Sequence, residues 1–409
     1  MEIAHDGYRW KILAGSYLCM LAFALVFQSI PPILTSIREE LNITHAQAGL
    51  LMSLFALPGI FVAIPGGIIS DRFGMKKVGV ASLILMIFGT LVVGISKSFL
   101  SICIGRLISG IGGLTLVVVL PQLLSRWFRN RELGIGMGVF NTAMPLGTII
   151  SLNVFGIIGS DLGWSSPIFL TTAVSVLALV TFLWLFKEPV ADDGRNGGRL
   201  SSNIATIGVS MWIVGFTWMW FNAALISFLT FAPDFFASKG YEIGFAGFMS
   251  SIVMMGSLFL SPLIGYFVYR FGKEEMFIVL GGVALALLIF LIPSTPFHLA
   301  LLVLIGIFAA FVPAPVFSLP SKMVKPQNLG LSFGILTACL NVGVLTGPYL
   351  TGLAKDLTGE YTASLYIMSI FTIMQSATIV LLHLSKCWKN RTIKHEIYKS
   401  EPASCMEEA

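Results

Sequence analysis

The sequence predicts an all-α polytopic membrane protein with twelve transmembrane helices in two pseudo-symmetric six-helix bundles. Three observations lead there. Hydrophobic residues make up 56 % of the 409 positions and charged residues only 11 %, with a mean hydropathy of +0.89; so few polar groups cannot cover a water-soluble surface. Apolar runs of about 20 residues, enough to cross a hydrocarbon core of ~30 Å, occur twelve times. The chain also repeats itself near half its length. The turn Gly66 to Lys77 is echoed 198 positions later, with Gly67 matching Gly265, Arg72 matching Arg270 and Gly74 matching Gly272. Upstream, Ala48-Gly49 falls on Ala246-Gly247 and Ser53 on Ser251. Two copies of one helical bundle have this signature.

In chain order, the spans of the first half are placed near 11–34, 46–69, 78–96, 99–124, 134–157 and 167–186. Those of the second half fall near 204–232, 244–268, 276–292, 297–319, 329–353 and 361–384. Met1 to Lys11 runs into the first span without an A-x-A-like cleavage site, so that span is expected to be retained. The stretch from Lys187 to Arg199 is polar and glycine-rich, a linker by composition. The expected units are therefore an N-terminal bundle (1–186), a linker (187–203), a C-terminal bundle (204–384) and a tail (385–409), largely unstructured beyond a surface helix.

Charge sets the orientation. Of the 25 Lys and Arg, Arg38, Lys97, Lys239 and Lys355 fall on loops of one face, Arg106 lies inside a span, and the other twenty share the face of the two termini. This bias predicts that both termini are cytoplasmic, with the cell membrane as the expected location. A net charge of +5 spread over short loops argues against nucleic-acid binding. Cys19, Cys103, Cys339, Cys387 and Cys405 show neither metal nor disulfide spacing, and no cofactor is expected. Prolines and glycines inside spans, such as Pro58, Pro145, Pro348, Gly110, Gly343 and Gly347, suit close helix packing and bending in a bilayer.

The Gly67–Lys77 turn resembles the loop between the second and third helices of the major facilitator superfamily of transporters, G-x-x-x-D-R-x-G-R/K-[RK]. Arg106-Leu107-Ile108-Ser109-Gly110 is similar to the R-x-x-x-G pattern of that family's fourth helix, and Arg126 to Gly134 to its W-F-x-x-x-E-R/L-G loop. The resemblance spans residues of about 8 to 385. It implies a gating role at the terminal face for Gly67, Asp71, Arg72, Gly74, Arg126 and Arg270, the alternative for Asp71 being a loop charge of purely topological use. Tyr269 stands where the first repeat has Asp71, so the two turns are not chemically equivalent. The family's drug exporters carry G-P-x-x-G-G on helix five; here Met144 precedes Pro145, a departure that counts against that branch.

The family likeness also implies a cavity lined by helices one, four, seven and ten, with five, eight and eleven contributing. Polar and aromatic candidates for binding solute there are Gln28, Arg106, Asn141, Trp218, Trp220, Asn222 and Asn341. Arg106 is the one cation inside a span, and no acid lies at its depth. A buried guanidinium costs ~2.5 kcal/mol or more, so it needs backbone carbonyls to clamp, Asn or Gln side chains, or a visiting anion. Asp234, after Pro233 at the outer end of the seventh span, is the acid nearest the membrane interior.

The expected function is secondary active or facilitative transport of a small solute by alternating access, with an organic anion or carboxylate-bearing metabolite as substrate. Export of hydrophobic drugs is the alternative, and a non-transporting receptor or scaffold the alternative of another class. Enzymatic activity is not expected, since no nucleophile–base pair can be assembled from the intramembrane residues. The expected partners are a small-molecule substrate and the lipid bilayer, with a coupling proton or cation left open, and the chain is expected to work as a monomer.

Overall fold

The computed structural model describes residues 3–62, 73–128, 130–186, 208–324 and 329–400. Among them are twelve helices long and apolar enough to cross a membrane. These are α1 (Gly7–Leu41), α2 (His45–Val62), α3 (Met75–Ile95), α4 (Phe99–Ser125), α5 (Gly136–Leu162), α6 (Ser165–Leu185), α7 (Val209–Ser238), α8 (Ile243–Phe271), α9 (Glu274–Ser294), α10 (His298–Met323), α11 (Leu329–Thr358) and α12 (Tyr361–Leu382). An even number of crossings puts the start of the first span and the end of the last on one face, called here the terminal face. The turns near 43, 97, 163, 240, 296 and 360 form the opposite, distal face.

Each expected span overlaps one observed helix, because an apolar run of the right length has few other ways to satisfy its backbone in lipid. Two differences stand out, the first with a local cause. The first span continues past 34 to Leu41, but as a broken rod: a helix over Ile3–Phe27, a 3₁₀ turn at Pro31–Ile33 and a helix over Leu34–Leu41. Pro31 and Pro32 supply no N–H, so the regular ladder stops there. The tail, expected to be largely unstructured, continues the last helix through Ser400.

Helices approach where side chains are smallest. At Gly89 of α3 an added methyl would overlap the Ser109 amide of α4, and at Gly112 of α4 it would overlap the Ser82 carbonyl of α3. Gly343 and Gly347 of α11 likewise rest on the carbonyls of Met219 and Ala223 in α7. Without a hydrophobic force between helices in lipid, such backbone-to-backbone contact is the main adhesive. The repeat is visible in the backbone too. Gly74 at the start of α3 and Gly272 at the end of α8, matched by the 198-residue offset, both have positive φ, at 91° and 62°. L-residues are strained in that region.

Candidate functional site

The contact between the first six and the last six spans is the best-organised polar region among the described residues. Along one seam α2 lies on α11: a methyl on Gly49 would strike the carbonyl of Pro348, one on Gly352 the carbonyl of His45, and one on Gly59 would sit 2.5 Å from the Asn341 carboxamide. Along the other seam α5 lies on α8. There α5 contains a π-helical turn, Ser151–Phe155, and the Leu152 carbonyl it pushes out occupies the space above Gly247. Single π turns of this kind are common at functional sites. Asn153, on the same turn, donates to the Ser251 hydroxyl of α8 at 2.9 Å. Both seams run from mid-span to the distal face.

At the distal rim, charged groups join the halves. Asp234 of α7 accepts from the hydroxyls of Thr35 and Tyr361 and lies 3.5 Å from the Arg38 guanidinium and 3.8 Å from His45 Nε2. Asp356 of α11 accepts from His45 Nδ1 at 2.9 Å and from the main-chain N–H groups of His45 and Ala46 at 2.9 and 2.7 Å. The Tyr361 ring stands edge-on to His45, with Lys355 Nζ 4.3 Å above it. Asp234, expected at the outer end of its span, is thus part of a contact between halves. Thr35, Arg38, His45, Asp356 and Tyr361 were not singled out from sequence, since each looks like an ordinary loop-edge residue until its partner is known.

Arg106 is 1 % exposed and its donors are in use. Nε donates to the Leu51 carbonyl at 3.0 Å, Nη1 to Val26 at 2.9 Å and Nη2 to Phe27 at 3.2 Å, and the guanidinium lies 4.5 Å from the centre of the Phe55 ring. The break in α1 explains this. Phe27 and Gln28 are the residues whose carbonyls would have been bonded four positions on by Pro31 and Pro32, which have no N–H to give. Arg106 takes the Phe27 carbonyl, and the Ser151 hydroxyl takes that of Gln28 at 2.5 Å. In place of the anion-facing arrangement, the structure shows a guanidinium bound to carbonyls within the first half.

The other candidates divide. Asn222 is buried and donates to the Trp218 carbonyl of its own helix at 2.8 Å. Trp220 stacks on Phe371 of α12, inside the second half. Trp218 packs against Phe221 and, edge-on, against Phe317 of α10. Asn341 sits at the α2–α11 seam, donating to the Thr337 carbonyl while its Oδ1 finds no partner among the described residues. Gln28 Oε1 is likewise buried without one. Asn141 is exposed, beside a Thr142 hydroxyl that donates to Tyr17 at 3.3 Å. Of the gating candidates, Gly67, Asp71 and Arg72 lie outside the described residues, as does the side chain of Arg126. Gly74 starts α3, and Arg270 is exposed beside Tyr269, itself 88 % exposed.

Twelve spans among the described residues, in two halves that meet along two glycine-lined seams and are joined at one face, have the geometry of a carrier closed on that side. Known proteins agree with that geometry. The Danio rerio lysosomal dipeptide transporter MFSD1 is 22 % identical over 405 residues, covering 93 % of this chain and 88 % of that protein. The Bacillus subtilis hexuronate transporter is 21 % identical over 368 residues, covering 84 % and 87 %. Among solved structures, that of the nucleoside transporter NupG superposes with a TM-score of 0.76 at 15 % identity, covering 92 % of this chain and 99 % of the other. The family model described as Major Facilitator Superfamily matches residues 16–245 and 209–386, and the chain belongs to that superfamily of membrane transporters.

Proposed function

We propose that this transporter moves a small organic solute bearing a carboxylate across the cell membrane by alternating access, each half moving as a unit. The observation that carries transport is the closed distal seam, with two unpartnered acceptors at mid-span, Gln28 Oε1 and Asn341 Oδ1, that can receive a solute's hydroxyl, amide or ammonium hydrogen, while the carboxylate is inferred from the lack of mid-span acids and from the relatives' solutes. The positive-inside bias makes the distal face the outside and leaves both termini in the cytoplasm. Among the described residues no Asp or Glu lies at mid-span, so the path neither attracts cations nor repels acids. A dipeptide and a hexuronate, the solutes named for two relatives, both carry a carboxylate. The same lack of mid-span acids weighs against a buried proton relay and against the drug-exporter alternative.

Gln28, Asn141 and Asn341, with Trp218 as an aromatic wall, are the proposed solute contacts. Arg106, Trp220 and Asn222 support the helices that present them. Gly67, Asp71, Arg72, Gly74, Arg126 and Arg270 are the proposed gate of the terminal face. The test is counterflow in proteoliposomes of the full chain, with a dipeptide, a hexuronate, a nucleoside and a lipophilic cation. Exchange of acid-bearing solutes is expected; exchange of the nucleoside or the cation alone would overturn the substrate class. Binding of an acid without any flux would support the receptor alternative.

A further inference from the structure

We propose that Asp356 acts as a helix cap in trans: a residue of the last six spans completes the start of α2 in the first six, and this bond to the main chain holds the distal face shut. A helix begins with N–H groups that no turn of its own can satisfy. For α2 the tally is complete. Thr44-His45-Ala46-Gln47 has the capping-box pattern, and both of its reciprocal bonds are present: Gln47 N–H donates to Thr44 Oγ1 at 3.2 Å, and Thr44 N–H to Gln47 Oε1 at 2.9 Å. The Ala48 N–H already reaches the Thr44 carbonyl at 3.0 Å. That leaves the amides of His45 and Ala46, the two that the Asp356 carboxylate takes from the other half, one on each oxygen.

Three features make this a lock rather than a chance contact. The carboxylate also receives the imidazole Nδ1, so it is held from two directions. A negative charge at a helix start is favoured by the aligned peptide dipoles. Gly352, one helical turn before Asp356, is the residue whose lack of a side chain lets α11 approach the His45 carbonyl closely enough for the bond to form. When the distal face opens, Asp356 and the start of α2 part, and two amides exchange a carboxylate for water. The amides belong to the backbone, so no ordinary substitution of His45 removes them. The bonds of Asp234 to Thr35 and Arg38 are a neighbouring contact that the variants below leave in place, and its approach to the His45 imidazole is lost equally in both His45 variants.

The proposal can be tested without solute, so its failure is distinguishable from a wrong substrate. Ser53 is buried on α2 against the Val344 carbonyl of α11; Ser53→Cys therefore reports distal opening through its rate of labelling by an impermeant thiol reagent, with the same proteins lacking that cysteine as background. Asp356→Ala removes the cap and is expected to raise the rate about 2- to 30-fold, the range that losing a cap gives in a two-state equilibrium. Asp356→Asn keeps one oxygen for one of the two amides and turns a donor toward the other, so its rate is expected to lie between those of the parent and Asp356→Ala. His45→Ala keeps both amides, whereas His45→Pro, at the first helical position where proline is well accommodated, deletes one. The Pro variant is expected to label faster than the Ala variant. Labelling of Asp356→Ala no faster than the parent would overturn the cap. Equal labelling of the two His45 variants would do the same. Should Asp356→Ala fail to fold, the His45 pair alone decides the matter.

Discussion

The carbonyl clamp at Arg106 makes a quantitative prediction. Replacing Arg106 with Gln shortens the side chain so that it reaches at most one of the three carbonyls of Val26, Phe27 and Leu51. Hydrogen bonds to a charged group contribute about 1.5–3 kcal/mol each. Losing two of them would cost about 3–6 kcal/mol, offset in part because a buried charge is no longer desolvated; a net loss of about 3 kcal/mol is expected. At about 2–4 °C per kcal/mol for a unit of roughly 200 residues, the apparent melting temperature in detergent should fall by about 6–12 °C. Arg106→Lys keeps the charge but not the planar fork, and should fall about half as far. The proline break supplies an internal control. Pro31→Ala returns an N–H for the Phe27 carbonyl, so in that background Arg106→Gln should cost less by about 1 kcal/mol in a double-mutant cycle. The assay is melting temperature and binding of an acid and a neutral solute on the same variants. If Arg106→Gln melted within about 2 °C of the parent yet lost the acid solute selectively, the clamp would be wrong and Arg106 would belong to the binding site.

The seams give further expectations. Gly247→Val should wedge α8 off the Leu152 carbonyl at a cost of about 1–3 kcal/mol to the distal-closed state, measured as faster labelling at Ser53→Cys. Asn153→Ala removes one neutral bond across the same seam and should shift the equilibrium by about 1 kcal/mol, roughly fivefold in the same measurement. Trp220→Ala, which empties a half-buried space beside Phe371, should lower stability by about 1–3 kcal/mol while leaving the KM for solute unchanged in the fraction that folds. Asn141→Ala, exposed and unburdened by packing, should raise KM with melting temperature within about 1 °C of the parent.

The spans were readable because lipid leaves a long apolar segment little choice, and the repeat was readable because both halves place a glycine, Gly74 and Gly272, where the turn takes a positive φ. The site was legible only in part. Pro31-Pro32 leaves two carbonyls in need of donors, a signal that favours the carbonyl-bound role of Arg106. Thr44 to Gln47 announced a helix start with two amides left over. Neither pattern says which distant residue answers it: His45 and Asp356 are 311 positions apart, and Phe27 and Arg106 are 79 apart. Asn222 and Trp220 show the opposite case. A polar group at mid-span can be satisfied by its own helix four residues back, and an aromatic ring by a neighbour in its own half, without leaving any mark in the sequence.

The two seams have a kinetic consequence. Gly49, Gly247 and Gly352 each touch a carbonyl of the opposite half so closely that no partial separation keeps the contact, and dispersion between such atoms fades within an ångström. Such contacts are either made or lost. With α2 on α11 and α5 on α8 as parallel rows, they should be lost together, so distal opening should behave as a single barrier crossing. Single-molecule traces of a labelled carrier would then dwell at two levels, with exponentially distributed waiting times and no plateau between them.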